Sequence, residues 1–165
     1  MLEDLIVDSS TLISLEKANL LNYLSKINYN ILVPQSVAVE IGDICRLIKN
    51  LKIVELKGRT LKISKDLMDL SIGSGESDCV ALAFRLKKSF VICDDRKLLR
   101  QIFFSSNRGL RKIKILGFGF FLHVFRRENF ISDVWDIFHL IIEKNNWERS
   151  EVQVANYSFL KEMGY

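Results

Sequence analysis

The chain has 165 residues, 48% of them hydrophobic, which predicts one globular domain, residues 1–165, with a full core and little room for a second domain. A single proline, eight glycines and no polar low-complexity run exclude a long flexible linker. The net charge is only +4, but most of the basic excess lies in one segment of the chain.

Short apolar runs alternate with helical patterns along the chain. The runs predict five strands, at residues 4–8, 31–33, 52–56, 89–93 and 112–116. Helices are predicted between and after them, at residues 12–27, 35–44, 64–70, 75–88 and 96–104, with two or three more before the C-terminus. The hydroxyls of Ser9, Ser10 and Thr11 can cap the first helix, and Pro34 suits the start of the second.

This alternation predicts an α/β fold, a three-layer α/β/α sandwich with a central parallel sheet. In such sheets, ligands bind in the crevice outside the carboxyl ends of the strands. The residues that end the strands are therefore the first candidates for a functional site.

Five acidic residues lie where this fold would bring them together. Asp8 ends the first strand, and Asp94 and Asp95 end the fourth, so parallel strands would place these carboxylates at one edge of the sheet. Glu40 and Glu76 lie on helices, at positions that share a face with apolar residues rather than with solvent. We therefore expect all five to approach one another.

Carboxylates that converge repel one another unless a cation or shared protons intervene. Mg²⁺ or Mn²⁺ would relieve that repulsion, because both ions take oxygen ligands and leave positions for substrate phosphates. A simpler reading is also open, in which Asp8 and Asp95 cap the helices that follow them and Glu76 favours a helix N-terminus. Asp78 is a weaker candidate than Glu76, because the helical period turns it toward Arg85 and a more exposed position.

A basic segment runs from Arg85 to Arg127 and holds twelve lysines and arginines against two acids. It could hold a polyanion, or it could form the solvated face of ordinary helices. Its basic residues are Arg85, Lys87, Lys88, Arg96, Lys97, Arg100, Arg108, Arg111, Lys112, Lys114, Arg126 and Arg127.

Other residues with chemical potential are predicted to be structural. His123 and His139 lie in apolar helical surroundings without the partners of a ligand set. The three cysteines are far apart and odd in number, so the sequence indicates neither a disulfide framework nor a thiolate zinc site. Four phenylalanines could stack bases but are expected in the core or on a dimer surface: Phe118, Phe120, Phe121 and Phe125. No basic leader precedes the first apolar run, so we expect a cytoplasmic protein.

The acids and their surroundings resemble those of PIN-domain nucleases. The matching segments are a strand ending in Asp-x-Ser (IVDSSTLISL), a strand, proline and helix with an inward glutamate (ILVPQSVAVEI), a Gly-Glu helix (GESDCVALAFRLKK) and a strand ending in acids (SFVICDDRKLLR). Each motif alone is common, but their order and spacing agree with the family. The resemblance extends over nearly the whole chain, toward a subfamily of VapC-like toxin relatives.

The resemblance implies a metal-dependent endoribonuclease that uses one or two Mg²⁺ or Mn²⁺ ions and no side-chain nucleophile. Position by position, the acids of the family fall on Asp8, Glu40, Glu76 and either Asp94 or Asp95. The aspartate that directly precedes the next helix is Asp95, which makes it the favoured fourth acid and leaves Asp94 as an additional metal ligand.

The family likeness carries further expectations. It implies that Ser10 orients Asp8 or a bound water, that RNA is the substrate, and that a toxin would have a protein antitoxin and form a homodimer. The chain departs from the family at Phe118, where related sequences tend to have a small hydroxyl residue after the glycine.

Two other functions would fit parts of the same sequence. A phosphatase of the haloacid-dehalogenase type would use Asp8 as nucleophile, but it needs a second acid two residues later, where this chain has Ser10. A catalytically silent PIN-like module would bind RNA or a protein without cleaving it. The presence of an acid at every candidate position counts against that module.

Overall fold

The structure is a computed structural model that describes residues 3–88, 90–104 and 109–165. The strands are β1 (Glu3–Ile6), β2 (Tyr29–Pro34), β3 (Leu51–Val54), β4 (Phe90–Ile92) and β5 (Lys114–Leu116). The helices are α1 (Ser9–Lys17), α2 (Leu21–Leu24), α3 (Gln35–Ile41), α4 (Ile44–Leu47), α5 (Arg59–Met68), α6 (Ser74–Arg85), α7 (Arg96–Phe104), α8 (Gly119–Arg127), α9 (Val134–Lys144) and α10 (Glu151–Glu162). Three parts of the predictions above lie outside the described residues: Ser89, Arg108 and the side chain of Arg96.

All the strand pairs described are parallel. β1 pairs with β2 and β2 with β3, while β4 pairs with β5. A parallel bridge between Val7 and Ile92 joins the two groups, so the strands follow the order β3-β2-β1-β4-β5. The chain therefore leaves β1 toward one edge of the sheet and later returns to its other side, which is the doubly wound arrangement.

Helices cover both faces of the sheet. Leu5, Ile6 and Val7 are all buried although consecutive strand side chains point in opposite directions, as expected for a central parallel strand. α6 packs against β1, β2 and β4 with α5 beside it, while α1 packs against α9, and α8 packs against α9 and α10. The predicted α/β/α sandwich with a central parallel sheet is confirmed.

The predicted boundaries of several elements are wrong. The hydroxyl cluster does not cap the first helix, because Asp8 is its N-cap and α1 begins at Ser9. The predicted helix at 12–27 is two helices, since Asn19 adopts a φ of 58° after α1. α3 likewise stops before Gly42, whose φ is 51°. α5 begins at Arg59, five residues before the predicted start.

The phenylalanines do not form a base-stacking surface. Phe118, Phe121 and Phe125 are fully buried and contribute to the aromatic core, so they are not on a dimer surface either. Phe120 is half-buried and packs against the rings of Tyr29 and Phe90. The prediction that these phenylalanines belong to the core is therefore confirmed.

The two histidines contact aromatic residues and not the candidate acids. His123 meets the hydroxyl of Tyr165 through its Nδ1 at 3.2 Å, and His139 is exposed and lies edge-on to the ring of Phe138. Among the described helices, none combines the length and the hydropathy that crossing a bilayer requires.

Candidate active site

The carboxyl ends of β1 and β4 lie side by side where the strand order reverses. The backbone N–H of Asp8 donates to the carbonyl of Ile92 at 2.9 Å, which joins the end of β1 to the end of β4. Asp94 and Asp95 follow β4 directly. The fold thus places Asp8, whose side chain is fully buried, at the end of the sheet where ligands bind in doubly wound folds.

The two carboxylate oxygens of Asp8 have different surroundings. Oδ2 accepts from the backbone N–H of Ser10 at 3.1 Å and from its hydroxyl at 2.8 Å, so Asp8 does cap α1. Oδ1 faces α6, where an added Cβ on Gly75 would lie 3.2 Å from it. Capping therefore occupies Oδ2, while Oδ1 accepts a long hydrogen bond of 3.5 Å from the hydroxyl of Ser9 and faces Gly75 from a fully buried position. The contact between Ser10 and Asp8 is the one that the family likeness implied, while the role of Ser10 stays a prediction.

Glu40 reaches the same place from α3, although its position differs from the expected one. The buried residues of α3 are Val37, Ala38 and Ile41, and Glu40 is exposed, so its predicted place on the apolar stripe is wrong. Its Oε2 nevertheless accepts a 2.5 Å hydrogen bond from the hydroxyl of Ser9 at the start of α1. The long glutamate side chain therefore runs along the surface and delivers its carboxylate to the crevice.

Gly75 is the point at which these side chains meet. An added Cβ would lie 3.3 Å from both carboxylate oxygens of Glu40 and 3.2 Å from Oδ1 of Asp8. Gly75 is buried in the first turn of α6, and its lack of a side chain leaves space between the two acids. The result is a small cradle lined by carboxylate oxygens.

Glu76 follows Gly75 in the chain, and the charges of the other acids shift its pKa. It folds back over Gly73, the N-cap of α6, where an added Cβ would collide with its carboxylate. Burial, together with the nearby charges of Asp8, Asp95 and Glu40, raises the pKa of Glu76 to about 7, against a backbone hydrogen bond that lowers it. Glu76 can therefore hold or release a proton near neutral pH.

Asp94 and Asp95 occupy different environments. Asp94 is 2% exposed, and its Oδ1 accepts from the backbone N–H of Phe118 at 3.1 Å and from the amide of Asn156 at 3.0 Å. Its Oδ2 accepts from the hydroxyl of Thr11 at 2.8 Å. Burial nevertheless raises the pKa of Asp94, against these hydrogen bonds, which lower it. Asp94 thus ties together α1, α8 and α10.

Asp95 is half-buried and closer in character to a site residue. Its Oδ1 accepts from the backbone N–H of Lys97 at 2.7 Å, which caps α7 as the simpler reading expected. Its charge also acts on Glu76. Asp94 and Asp95 both line the cleft described below, and the partial exposure of Asp95 and its charge on Glu76 favour Asp95 as the fourth acid, a role that stays a prediction.

Asp78 lies outside this cluster but is not the exposed residue that the helical period predicted. Its carboxylate accepts from the hydroxyl of Ser36 at 2.6 Å and from that of Ser64 at 2.5 Å, and it is half-buried. These bonds connect α6 to α3 and α5. A structural role explains Asp78.

A cleft of about 440 Å³ opens beside the acids. Glu76 and Asp95 line it together with two exposed cations of α7, Lys97 and Arg100. Arg100 pairs with Glu151 at the start of α10. Part of the predicted basic segment is therefore placed next to the acids, where it can meet the phosphates of a ligand.

The donor set fits a hard divalent cation. Asp8 and Glu40 direct three carboxylate oxygens toward Gly75, where a Cβ would lie within 3.3 Å of each. Within the part of the chain that the structure describes, no three acidic, histidine or cysteine side chains form a ready ligand set. Mg²⁺ needs no such cage, because it usually takes one or two protein carboxylates and keeps water and substrate oxygens for the rest. The arrangement therefore suits Mg²⁺ or Mn²⁺ better than a metal that requires a closed site.

The sequence did not predict the contacts that several residues of this region make. Ser9 bridges toward Glu40, Thr11 and Asn156 hold Asp94, and Trp147 lines the cleft. Gly117 is confined as well, since an added Cβ would lie 2.3 Å from Asn156 Oδ1 and 2.5 Å from Asp94 Oδ1. The sequence shows a glycine before Phe118, but no pattern around Asn156 or Trp147 indicates which residues they contact.

Comparison with known proteins agrees with the geometry. A family model described as a PIN domain matches residues 4–162. The chain belongs to the PIN-domain family. PIN domains are generally nucleases and typically use divalent metals. No curated protein and no solved structure matches the chain.

The raised pKa of Glu76 should make the stability of this PIN domain depend on pH. Between pH 4.5 and about 7 the folded protein holds a proton that the unfolded chain releases, so the free energy of unfolding should fall as pH rises through this window. Thermal unfolding of metal-free protein in a chelating buffer measures the effect. Glu76→Gln should flatten the profile, whereas Glu16→Gln, on the exposed part of α1, should leave it unchanged. An identical pH profile for wild type and Glu76→Gln would contradict the assignment.

Proposed function

We propose that this PIN domain is an endoribonuclease that depends on Mg²⁺ or Mn²⁺ and acts as the toxin of a toxin–antitoxin pair. The observation that carries the proposal is the meeting of Asp8 and Glu40 at Gly75, with the carboxylate of Glu76 beside them over Gly73 and two cations lining the adjoining cleft. Acids alone would repel a polyanion, and cations alone would only bind it. Their combination suits hydrolysis of a phosphodiester.

The position of each residue indicates its role in binding the metal. Asp8 Oδ1 and the Glu40 carboxylate would hold the metal, with Asp95 as a further ligand from the end of β4. The metal would activate water and offset negative charge on the phosphate. Ser10 fixes the orientation of Asp8, and Ser9 that of Glu40.

Two further groups serve the substrate and its protons. Glu76, with a pKa of about 7, can take a proton from water or give one to the leaving oxygen. Lys97 and Arg100 lie where they can attract the phosphates on either side of the cut. The chain therefore needs no nucleophilic side chain.

Cleavage of a labelled single-stranded RNA by the purified protein tests the proposal. We expect cleavage with added Mg²⁺ or Mn²⁺ and none in a chelating buffer. RNA binding without cleavage under either metal would instead favour the silent PIN-like module. Failure to bind or cleave RNA would refute the nuclease and leave only a silent module that binds a protein.

The toxin role, the antitoxin and a homodimer are proposed from the likeness to VapC-like toxins, not from the site. Exposed apolar side chains such as Val39, Leu47 and Ile53 offer surface to a protein partner. A neighbouring gene for a small DNA-binding protein, and its co-purification with this chain, would support the pair. Growth unaffected by expression of the active nuclease would count against a toxin.

A further inference from the structure

One aromatic side chain in the cleft has no part in the chemistry above. Trp147 lies between α9 and α10 and lines the cleft together with Glu76 and Asp95. It is half-buried, whereas Phe118 beneath it is fully buried. The two rings stack with centroids 6.1 Å apart and planes 24° apart. Trp147 is thus fixed from the core side while part of its ring reaches the cleft.

The neighbours of Trp147 in the cleft are cationic as well as acidic. Lys97 and Arg100 of α7 line the same space, and both are exposed. An aromatic ring beside cations is the combination that binds single-stranded nucleic acid, because bases stack on the ring and phosphates meet the charges. The second tryptophan, Trp135, differs, since it packs against Tyr157 and Phe138 and lies under the ammonium of Lys161.

We propose that Trp147 is the stacking platform for an unpaired base of the RNA strand, next to the phosphate that is cut, and that Lys97 binds an adjoining phosphate. The inference rests on the proposed function and names the residue of this chain that would hold an unpaired base of the RNA. A base inside a duplex is stacked between its neighbours and cannot lie on a protein ring. Trp147 acts on binding and placement of the strand, so it is a positioning residue.

Tryptophan fluorescence gives a direct test, because the chain has two tryptophans. In the Trp135→Phe/Asp8→Asn double variant, Trp147 is the sole tryptophan and cleavage is disabled. The probes are a single-stranded oligoribonucleotide, the same sequence as a duplex, and an abasic ribose-phosphate oligomer of equal length. Single strands should quench the emission and bind about tenfold more tightly than the other two probes. Equal affinity for all three probes, without quenching, would overturn the proposal.

Variants of the ring and of the cation separate stacking from charge. Trp147→Phe should keep most of the preference for single strands, whereas Trp147→Leu should remove it and leave duplex binding unchanged. Lys97→Gln should weaken binding of all three probes alike and lower its salt dependence. Loss of duplex binding in Trp147→Leu, or an intact single-strand preference, would refute the assignment. Because Trp147 packs on Phe118, thermal unfolding of each variant accompanies the titration, and the abasic probe tests stacking on the unaltered ring.

The outcomes distinguish this inference from the proposed nuclease activity. Quenching by single strands in a protein whose wild type never cleaves RNA would support the platform and reject the nuclease. Cleavage of RNA without any preference for unpaired bases would support the nuclease and reject the platform. In an active enzyme, Trp147→Leu should raise KM for RNA by about tenfold with little change in kcat.

Discussion

Replacement of Asp8 by asparagine should lower metal-dependent RNA cleavage by at least about 100-fold while the fold stays intact. Asparagine keeps an oxygen and is as good an N-cap as aspartate, so the hydrogen bond from the backbone of Ser10 can persist. What the change removes is the negative charge that Oδ1 presents beside Gly75 and Glu40. Activity should therefore fall without a comparable loss of stability. Rates of RNA cleavage and thermal unfolding curves measure the two effects.

A matched control separates charge at the site from charge elsewhere. Asp66→Asn makes the same chemical change on the exposed face of α5 and should cleave RNA at the wild-type rate. Asp8→Asn should still bind RNA, because the cations of α7 are unchanged. Wild-type cleavage by Asp8→Asn would remove Asp8 from the reaction. Unfolding of the variant would show that capping and burial, rather than catalysis, explain the residue.

The parts of the fold that follow from local pattern were predictable. Apolar runs located the five strands, and their alternation with helices predicted the parallel sheet. The placement of Asp8 beside Asp94 and Asp95 then follows from one rule, that parallel strands end at the same edge. Helix boundaries were less predictable, because a single residue such as Asn19 in a left-handed conformation decides where a helix stops.

The sequence could not reveal contacts between distant residues. Asn156 looks like an ordinary polar residue of a C-terminal helix, yet it is buried and holds Asp94, 62 positions away. Glu40 shows a different error, because the predicted apolar stripe continued past Ile41, where α3 ends, and Glu40 is exposed. Only the length of its side chain brings its carboxylate to Ser9, and the helical period carries no information on where a long side chain ends. Nothing in the sequence around Trp147 indicates the cleft that it lines.

The same distinction between local pattern and tertiary contact bears on the fourth acid. Asp95→Asn should lower RNA cleavage by at least about 100-fold, whereas Asp94→Asn should stay within about tenfold of wild type. Asparagine at position 94 can keep its oxygen toward Phe118 and Asn156 and turn its amide to Thr11, whose hydroxyl can accept as well as donate. Asparagine at position 95 keeps the cap on α7 but removes the charge that acts on Glu76. Cleavage assays on both variants measure this difference.

Stability should show the opposite order. Asp94→Leu removes every acceptor, leaves the donors from Thr11 and Phe118 without a partner and leaves the Asn156 amide with the carbonyl of Val152, at a cost of about 3–5 kcal/mol. Asp95→Leu loses one helix cap at a half-buried position and should cost about 1 kcal/mol. Urea unfolding of the two leucine variants measures these costs. A stable Asp94→Asn protein without activity would make Asp94 a metal ligand after all, because its hydrogen bonds alone could then not explain the loss.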